Sequence, residues 1–427
     1  MLAEMLARKL KKADIHYGWV IAAIAFLTTV FSSATLSIPQ LLILPLTESF
    51  SWNISDVTTS IAVMYVILAS IAPFGGGLML RLGLPKVVII SISFTLVGLL
   101  SIVLSFETWH LFFNIGLCLG VASGILGLGL NATVATRWFV QKRGLVVGIL
   151  TGGFAAGQLI FLPMMAWIVT NFDWRFAVVP CLIGSALCGT LFFLFGKSWP
   201  SELGMAPLGE TEVYNPPRLD DRGAIYISVS TLIEAIKHPI FWMLAITFFI
   251  CGLTSSGIVG QHFIPFCADN NVGIVAASSY LALMGVFNFF GTMSSGWLSD
   301  RFNNYNLLII YYALRGCSLV FLPYSDFDIF ALTLWAMFFG LDYIATVPPT
   351  VRLTSKAFGV VTGPVVFGWI FSAHQFGSAF AAYGVGLSRD SLLTYLPAFI
   401  VAGLFCFFAA ILIVIFKFFK FSGLKAA

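Results

Sequence analysis

Charge is scarce in this chain. Only 9% of its 427 residues are Asp, Glu, Lys or Arg, where a soluble globular domain carries roughly 25%. With 59% hydrophobic residues, that scarcity excludes a water-soluble fold, and a net charge of +4 provides no basic surface for a nucleic acid. Cysteine is sparse as well. The seven residues Cys118, Cys181, Cys188, Cys251, Cys267, Cys317 and Cys406 lie in or at the edge of apolar runs, without the spacing of a disulfide or metal framework. They read as small packing residues. A P-loop, an H-E-x-x-H pair and a Cys/His metal set are all missing from the sequence, which argues against an enzyme, a cofactor, a metal centre or primary ATP-driven transport. A cleavable signal is excluded too. Arg8, Lys9, Lys11 and Lys12 precede an apolar stretch that runs without an A-x-A-type site to Leu46, which suits an uncleaved first span.

What the chain does have is apolar runs of membrane-crossing length. Twelve of them, from residues 17–46 to residues 392–418, are bounded by charged or turn residues, and each approaches the ~20 residues that a bilayer-spanning helix needs. The expected fold class is an all-α polytopic membrane protein, with twelve transmembrane helices in two six-helix bundles. A polar stretch separates the two sets of six, with Pro200, Pro207, Pro216, Pro217, Asp220, Asp221 and Arg222. The expected domains are a first bundle over residues 1–196, a linker over 197–238 and a second bundle over 239–427. Within the linker, Ser230–Lys237 has the spacing of a short amphipathic helix on the membrane face. With the N-terminus inside, every Lys and Arg falls in an inner segment except Arg175 and Arg389 in outer loops and Arg315 within a span. This is the positive-inside pattern, and it predicts a multi-pass protein of the inner (plasma) membrane with both termini cytoplasmic.

The two halves resemble each other. Residues 127–134 (GLGLNATV) align with 340–347 (GLDYIATV), and Gly76, Gly77, Leu78 and Arg81 after span two parallel Gly296, Trp297, Leu298, Asp300 and Arg301 after span eight. Parallel halves related by an axis along the membrane normal form one large transporter architecture. The run Gly296 to Arg301 is similar to the G-x-L-a-D-R loop motif of the major facilitator superfamily, with Leu80 in place of the Asp in the first half. Tyr17, Gly18 and Trp19, Arg137 to Phe139, Lys142 to Leu145 with Gly148, and Asp173 to Arg175 resemble the bacterial monocarboxylate-porter-related branch. That branch implies a lysine on span one and an acid–arginine pair on span eight. Span one here has no lysine, and the span-eight positions read Asn288 and Thr292.

Polar groups inside the apolar runs are the candidate site, because an ionisable residue at span centre costs about 2.5–3.5 kcal/mol. Arg315 lies about eleven residues into span nine, roughly 16 Å deep, and Asp342 roughly 15 Å deep on span ten. They share a level and can pair if their helix faces meet. Asp342 with Tyr343, His374 with Gln375 on span eleven, Asn131 on span four, Gln158 on span five, and Gln261 with His262 near the outer end of span seven complete the substrate-binding or coupling candidates. The hydroxyl-rich run Thr28, Thr29, Ser32, Ser33, Thr35, Ser37 and Gln40 on span one either bonds back to its own helix or faces a cavity. Asp300, Arg301, Arg81, Arg137 and Arg143 are the candidate cytoplasmic gate, with Glu202 of the linker as a partner acid. Prolines such as Pro39, Pro348 and Pro349 invite kinks.

The resemblance implies a secondary active transporter, expected to act as a monomer by alternating access in the lipid bilayer, that moves a small polar organic solute. An organic anion of the monocarboxylate kind is the first expectation, with protons as the coupling ion in a symporter. Export of a siderophore-like or amphipathic compound and amino acid transport are the alternatives, and a non-transporting receptor or scaffold is the remote one.

Overall fold

A computed structural model of the chain describes residues 2–126, 129–213 and 223–423. Gly127 and Leu128 of the repeat and Pro216, Pro217, Asp220, Asp221 and Arg222 of the linker lie outside the described residues. Eleven helices are long and apolar enough to cross a membrane: Gly18–Phe50, Ile54–Leu82, Leu84–Val103, Thr108–Trp138, Arg143–Asn171, Trp174–Phe195, Pro239–Asp269, Ile274–Arg301, Asn304–Tyr324, Ile329–Gly359 and Leu396–Phe418. We number the first ten of these spans one to ten and the last span twelve. Span eleven is the later part of the helical stretch Val347–Leu392, which turns at Gly359 with φ 84°. Its polar content, including Ser372, His374, Gln375, Arg389 and Asp390, sets it apart from the others. The architecture is the expected one, twelve helices in two bundles of six.

Several boundaries differ from the sequence expectation for local reasons. The sequence predicts that span ten stops near residue 349, but it runs to Gly359, because Pro348 and Pro349 fall in the first turn of a new helical segment, where the fixed φ of proline suits a helix start. Span one is interrupted at Ser37, whose N–H donates to the carbonyls of Ala34 and Thr35. Pro39 then opens the next segment. The linker helix begins earlier than Ser230 and spans Gly223–Ala235.

Close helix approach within each half follows one plan. A Cβ on Gly120 of span four would stand 2.9 Å from the carbonyl oxygen of Met64 and 3.1 Å from Ile67 Cβ. One on Gly340 of span ten would stand 2.7 Å from the carbonyl oxygen of Met284 and 2.9 Å from Phe287 Cβ. Gly340 thus packs on span eight as Gly120 packs on span two.

Between the halves, spans two and eleven stay together along their length. The Ser55 N–H donates to Asp390 Oδ2 at 2.8 Å, Ser372 Oγ donates to the Ala69 carbonyl at 2.8 Å, and a Cβ on Gly368 would sit 3.7 Å from Pro73 Cα. Spans five and eight meet only in part. Gly285 faces Gln158, whereas a Cβ on Gly144, Gly148 or Gly296 would meet nothing within 4 Å. These three lie towards the membrane face that carries both termini, whereas Gln261–Tyr65 and Ser55–Asp390 join the halves on the far face.

A Cβ on Gly377 would stand 1.9 Å from the Phe249 carbonyl oxygen, while one on Gly384 of the same helix meets open space. Gly377→Ala should therefore push spans seven and eleven apart and destabilise by about 1–3 kcal/mol or more. Gly384→Ala should be neutral or slightly stabilising. Thermal unfolding of the two variants in detergent checks the contrast.

Candidate functional site

Pro348 and Pro349 decide the site. Neither carries an N–H, so the carbonyls of Ile344 and Ala345 lose their usual i+4 donors, and the helix of span ten is broken over residues 343–346. In a bilayer the freed carbonyls must find partners within the protein. The Val347 N–H turns to Ile344 O at 3.0 Å, and Ser295 Oγ of span eight donates to Ala345 O at 2.5 Å. The remaining carbonyls are met by Arg315. Its Nη2 donates to Asp342 O at 2.6 Å and to Tyr343 O at 3.1 Å, while its Nε donates to Asp342 Oδ2 at 2.6 Å. Nη1 donates to Cys251 Sγ of span seven at 3.0 Å, and that sulfur lies 3.2 Å from Thr346 Oγ1. Arg315 is fully buried and Asp342 nearly so. A cation at the carbonyl end of Ile329–Asp342 also complements that half-helix's dipole. The two charges do meet, and all three nitrogens of the guanidinium are committed within the second half. Asp342 Oδ1 is buried without a partner.

The break turns Tyr343 towards a pocket between the halves. Gln40 of span one, with Gln158 and Leu162 of span five, lines it from the first half. Gly260, Leu281, Met284, Gly285, Asn288 and Tyr343 line it from the second. Its polar groups are three amides and a phenol, and no charged side chain contributes to the wall. Asn288 is further held by Thr292 Oγ1, which donates to its Oδ1 at 3.2 Å. Two of the sequence candidates, Gln158 and Tyr343, thus line one pocket with Arg315 and Asp342 directly behind it. Gln40 and Asn288 were not among the candidates. Asn288 was legible as a mid-span amide on span eight, and Gln40 as the amide ending the hydroxyl-rich run.

The other candidates lie elsewhere. Asn131 accepts from Thr29 Oγ1 at 2.9 Å and donates to Leu150 O at 3.3 Å, tying spans one, four and five together. His374 packs between Phe248 and Phe371, with Nδ1 3.1 Å from Gln375 Oε1, at the seam of spans seven and eleven. Gln261 Nε2 donates to the Tyr65 hydroxyl at 2.9 Å, bridging the halves beyond the pocket. His262 is buried inside the second half, its Nε2 3.0 Å from Ala382 O. On span one, Thr28, Thr29, Thr35 and Ser37 bond back to their own helix, while Ser33 donates to Phe154 O of span five.

A sequence profile described as Major Facilitator Superfamily matches residues 23–382. The chain belongs to the major facilitator superfamily. It is similar to the uncharacterized MFS-type transporter YcxA of Bacillus subtilis, 25% identical over 88% of this chain and 90% of that protein. It is also similar to monocarboxylate transporter 13 of Rattus norvegicus, 23% identical over 94% of this chain and 89% of the relative. Monocarboxylate transporter 11 of Mus musculus is 26% identical over 67% of this chain and 60% of its own length. Family and relatives indicate a membrane transporter of small-molecule solutes rather than an enzyme.

In this major facilitator protein the described contacts of the gate candidates fall within one half or between a half and the linker. Asp300 bonds Arg352 of span ten, and Arg301 stacks on the Trp297 ring at 4.0 Å. Arg137 donates to the carbonyls of Met79 and Ser198 and lies over Trp199, and Arg143 donates to Phe139 O. Glu202 is close enough for its charge to act on Arg137, but its hydrogen bonds are local. It accepts from the Ser198 and Trp199 N–H groups and lies 3.8 Å from Lys197, because it caps the short turn Pro200–Leu203. Arg81 lies next to Gly223 at the start of the linker helix. Among the described residues, none of these bonds joins one half to the other across the termini face.

Removing Arg315 leaves a buried carboxylate without its cation and Tyr343 O without its donor, while Asp342 O keeps the Ala345 N–H. Arg315→Met should cost about 3–5 kcal/mol. Asp342→Asn should cost less, because the guanidinium keeps both carbonyls and the amide oxygen still accepts. Thermal unfolding midpoints of the two variants test that order.

Proposed function

We propose that this chain is a secondary active transporter that carries a small polar organic solute of the monocarboxylate kind through the pocket at Gln40, Gln158, Asn288 and Tyr343. The observation that carries this reading is the pocket's position, shared by both halves and backed by the braced break in span ten. The halves are joined on the far face by Gln261–Tyr65 and Ser55–Asp390, and Gly144, Gly148 and Gly296 face open space towards the termini face, which supports one end state of alternating access. Rocking about the pocket would exchange the Gln261–Tyr65 and Ser55–Asp390 contacts for closure near Gly148 and Gly296. Asp300, Arg301, Arg81, Arg137 and Arg143 are the charges available to re-pair across the mouth in that opposite state. The positive-inside distribution supports a plasma-membrane orientation with both termini cytoplasmic. The polar break supports domains at 1–196, 197–238 and 239–427, acting as one monomer.

The pocket receives the solute with amide N–H donors and the Tyr343 hydroxyl. Because Arg315 is spent on Asp342 and the backbone, the charge of a carboxylate must be balanced by a proton that travels with it. Asp342 Oδ1, the unpaired oxygen behind Tyr343, is the proton's resting place in this reading. A proton there would weaken the grip on Arg315 and loosen the break, coupling protonation to the posture of span ten. His374, on the seam of spans seven and eleven, would follow that movement rather than touch the solute.

Thermal shift of the purified protein against monocarboxylates, dicarboxylates, amino acids and ferric chelates, at about pH 5.5 and about pH 7.5, tests the substrate class. A ligand at 100 times its Kd stabilises by roughly 2.7 kcal/mol. Stabilisation by monocarboxylates, stronger at the lower pH, is the expected result; a response to chelates or amino acids alone would sink it. In proteoliposomes, Gln158→Ala and Asn288→Ala should each raise KM by about 2- to 10-fold, the worth of one hydrogen bond. Uptake should rise as pH falls in the native protein and be flat in Asp342→Asn.

A further inference from the structure

Ahead of span one the chain forms a separate helix, Leu2–Lys12. Three features fix how it sits. Ala3 and Ala7 are buried against the first half, with Leu6 and Leu10 beside them. Asp14 takes a left-handed conformation with φ 55°, and the Ile15 N–H donates back to Leu10 O at 3.0 Å, so the chain turns sharply between this helix and span one. His16 then anchors the turn, with Nε2 3.0 Å or less from a linker carbonyl, that of Ala206 at 2.9 Å. The helix is therefore held off the axis of span one.

Its outward faces divide into two. At 3.6 residues per turn, Leu2, Met5, Lys9 and Lys12 fall within about a quarter of the circumference, next to the face that packs on the bundle. Leu2 is 43% and Met5 47% exposed, and Lys9 and Lys12 are exposed as well. Arg8 and Lys11 stand further round on the solvent side, with Glu4 the one acid in the sequence of the helix. Apolar side chains flanked by lysines on a helix lying beside a membrane protein's rim form the signature of an interfacial helix.

We propose that the Leu2–Lys12 helix is a binding surface for anionic phospholipid in the leaflet on the termini face. Leu2 and Met5 enter the edge of the acyl layer. The stems of Lys9 and Lys12 follow them, and the ammonium groups rise to the phosphate oxygens of the headgroups. A free anion would use the lysines but not Leu2 and Met5, so the pairing of the two commits the surface to a lipid. Because Ala3 and Ala7 join this helix to the first half, lipid bound there stabilises that half. The inference does not depend on which solute is carried.

The test uses the full-length protein in neutral detergent at low salt, reading the thermal unfolding midpoint against added phosphatidylglycerol or phosphatidylcholine. Phosphatidylglycerol should raise the midpoint well above the effect of phosphatidylcholine, and high salt should suppress the difference. In K9Q/K12Q the phosphatidylglycerol concentration for half the shift should rise about thirtyfold, from the worth of two lysines at an anionic surface. K9R/K12R should keep the native response. Equal responses to the two lipids, a native response in K9Q/K12Q, or the same stabilisation by inorganic phosphate would each overturn the proposal.

Discussion

The structure of the second half depends on how the carbonyls freed by Pro348 and Pro349 are satisfied in a medium without water. The Val347 N–H and Ser295 meet Ile344 O and Ala345 O, and Arg315 braces the rest of the break from span nine, bonding Asp342 O and Tyr343 O while its charge is balanced by the Asp342 carboxylate. A buried cation alone would be costly, and a broken transmembrane helix alone would be costly. Placed together, each supplies what the other lacks. Cys251 and Thr346 close the remaining side of the guanidinium, so spans seven, nine and ten are locked at one level.

That lock sets the position of the pocket. Tyr343 leaves the regular helix at the break and reaches the boundary between the halves, where Gln40, Gln158 and Asn288 complete a polar lining. The charge density lies behind the wall and the amides lie in it. A site built this way recognises its solute by hydrogen bonds, while the ionic pair holds the geometry. The seam of spans two and eleven, bonded from Ser55–Asp390 to Ala69–Ser372, gives the halves a common edge about which the opposite faces can part.

Glycine makes the rest of the packing possible. Gly120 against Met64 and Gly340 against Met284 bring corresponding helices to the same close approach in the two halves. Polar seams then connect the bundles: Gln261 with Tyr65 beyond the pocket, and the linker helix through Ser228, which donates to Pro73 O and accepts from Trp369 Nε1. The linker is thus tied to both halves rather than merely joining them.

Composition and hydrophobic run length were enough to determine the membrane, the crossings and the twofold division, because a span must be apolar over a fixed length. The level of Arg315 and Asp342 was legible too, since depth follows from residue count along a helix. Which helix faces meet was not. A single sequence gives no relative rotation between spans, so it could not separate Gln158 in the pocket from Asn131, which is spent on span-to-span bonds. Nor could it distinguish His374 on a seam from His262 inside a half. Gln40 and Asn288 became site residues only when spans one and eight were placed on either side of one pocket.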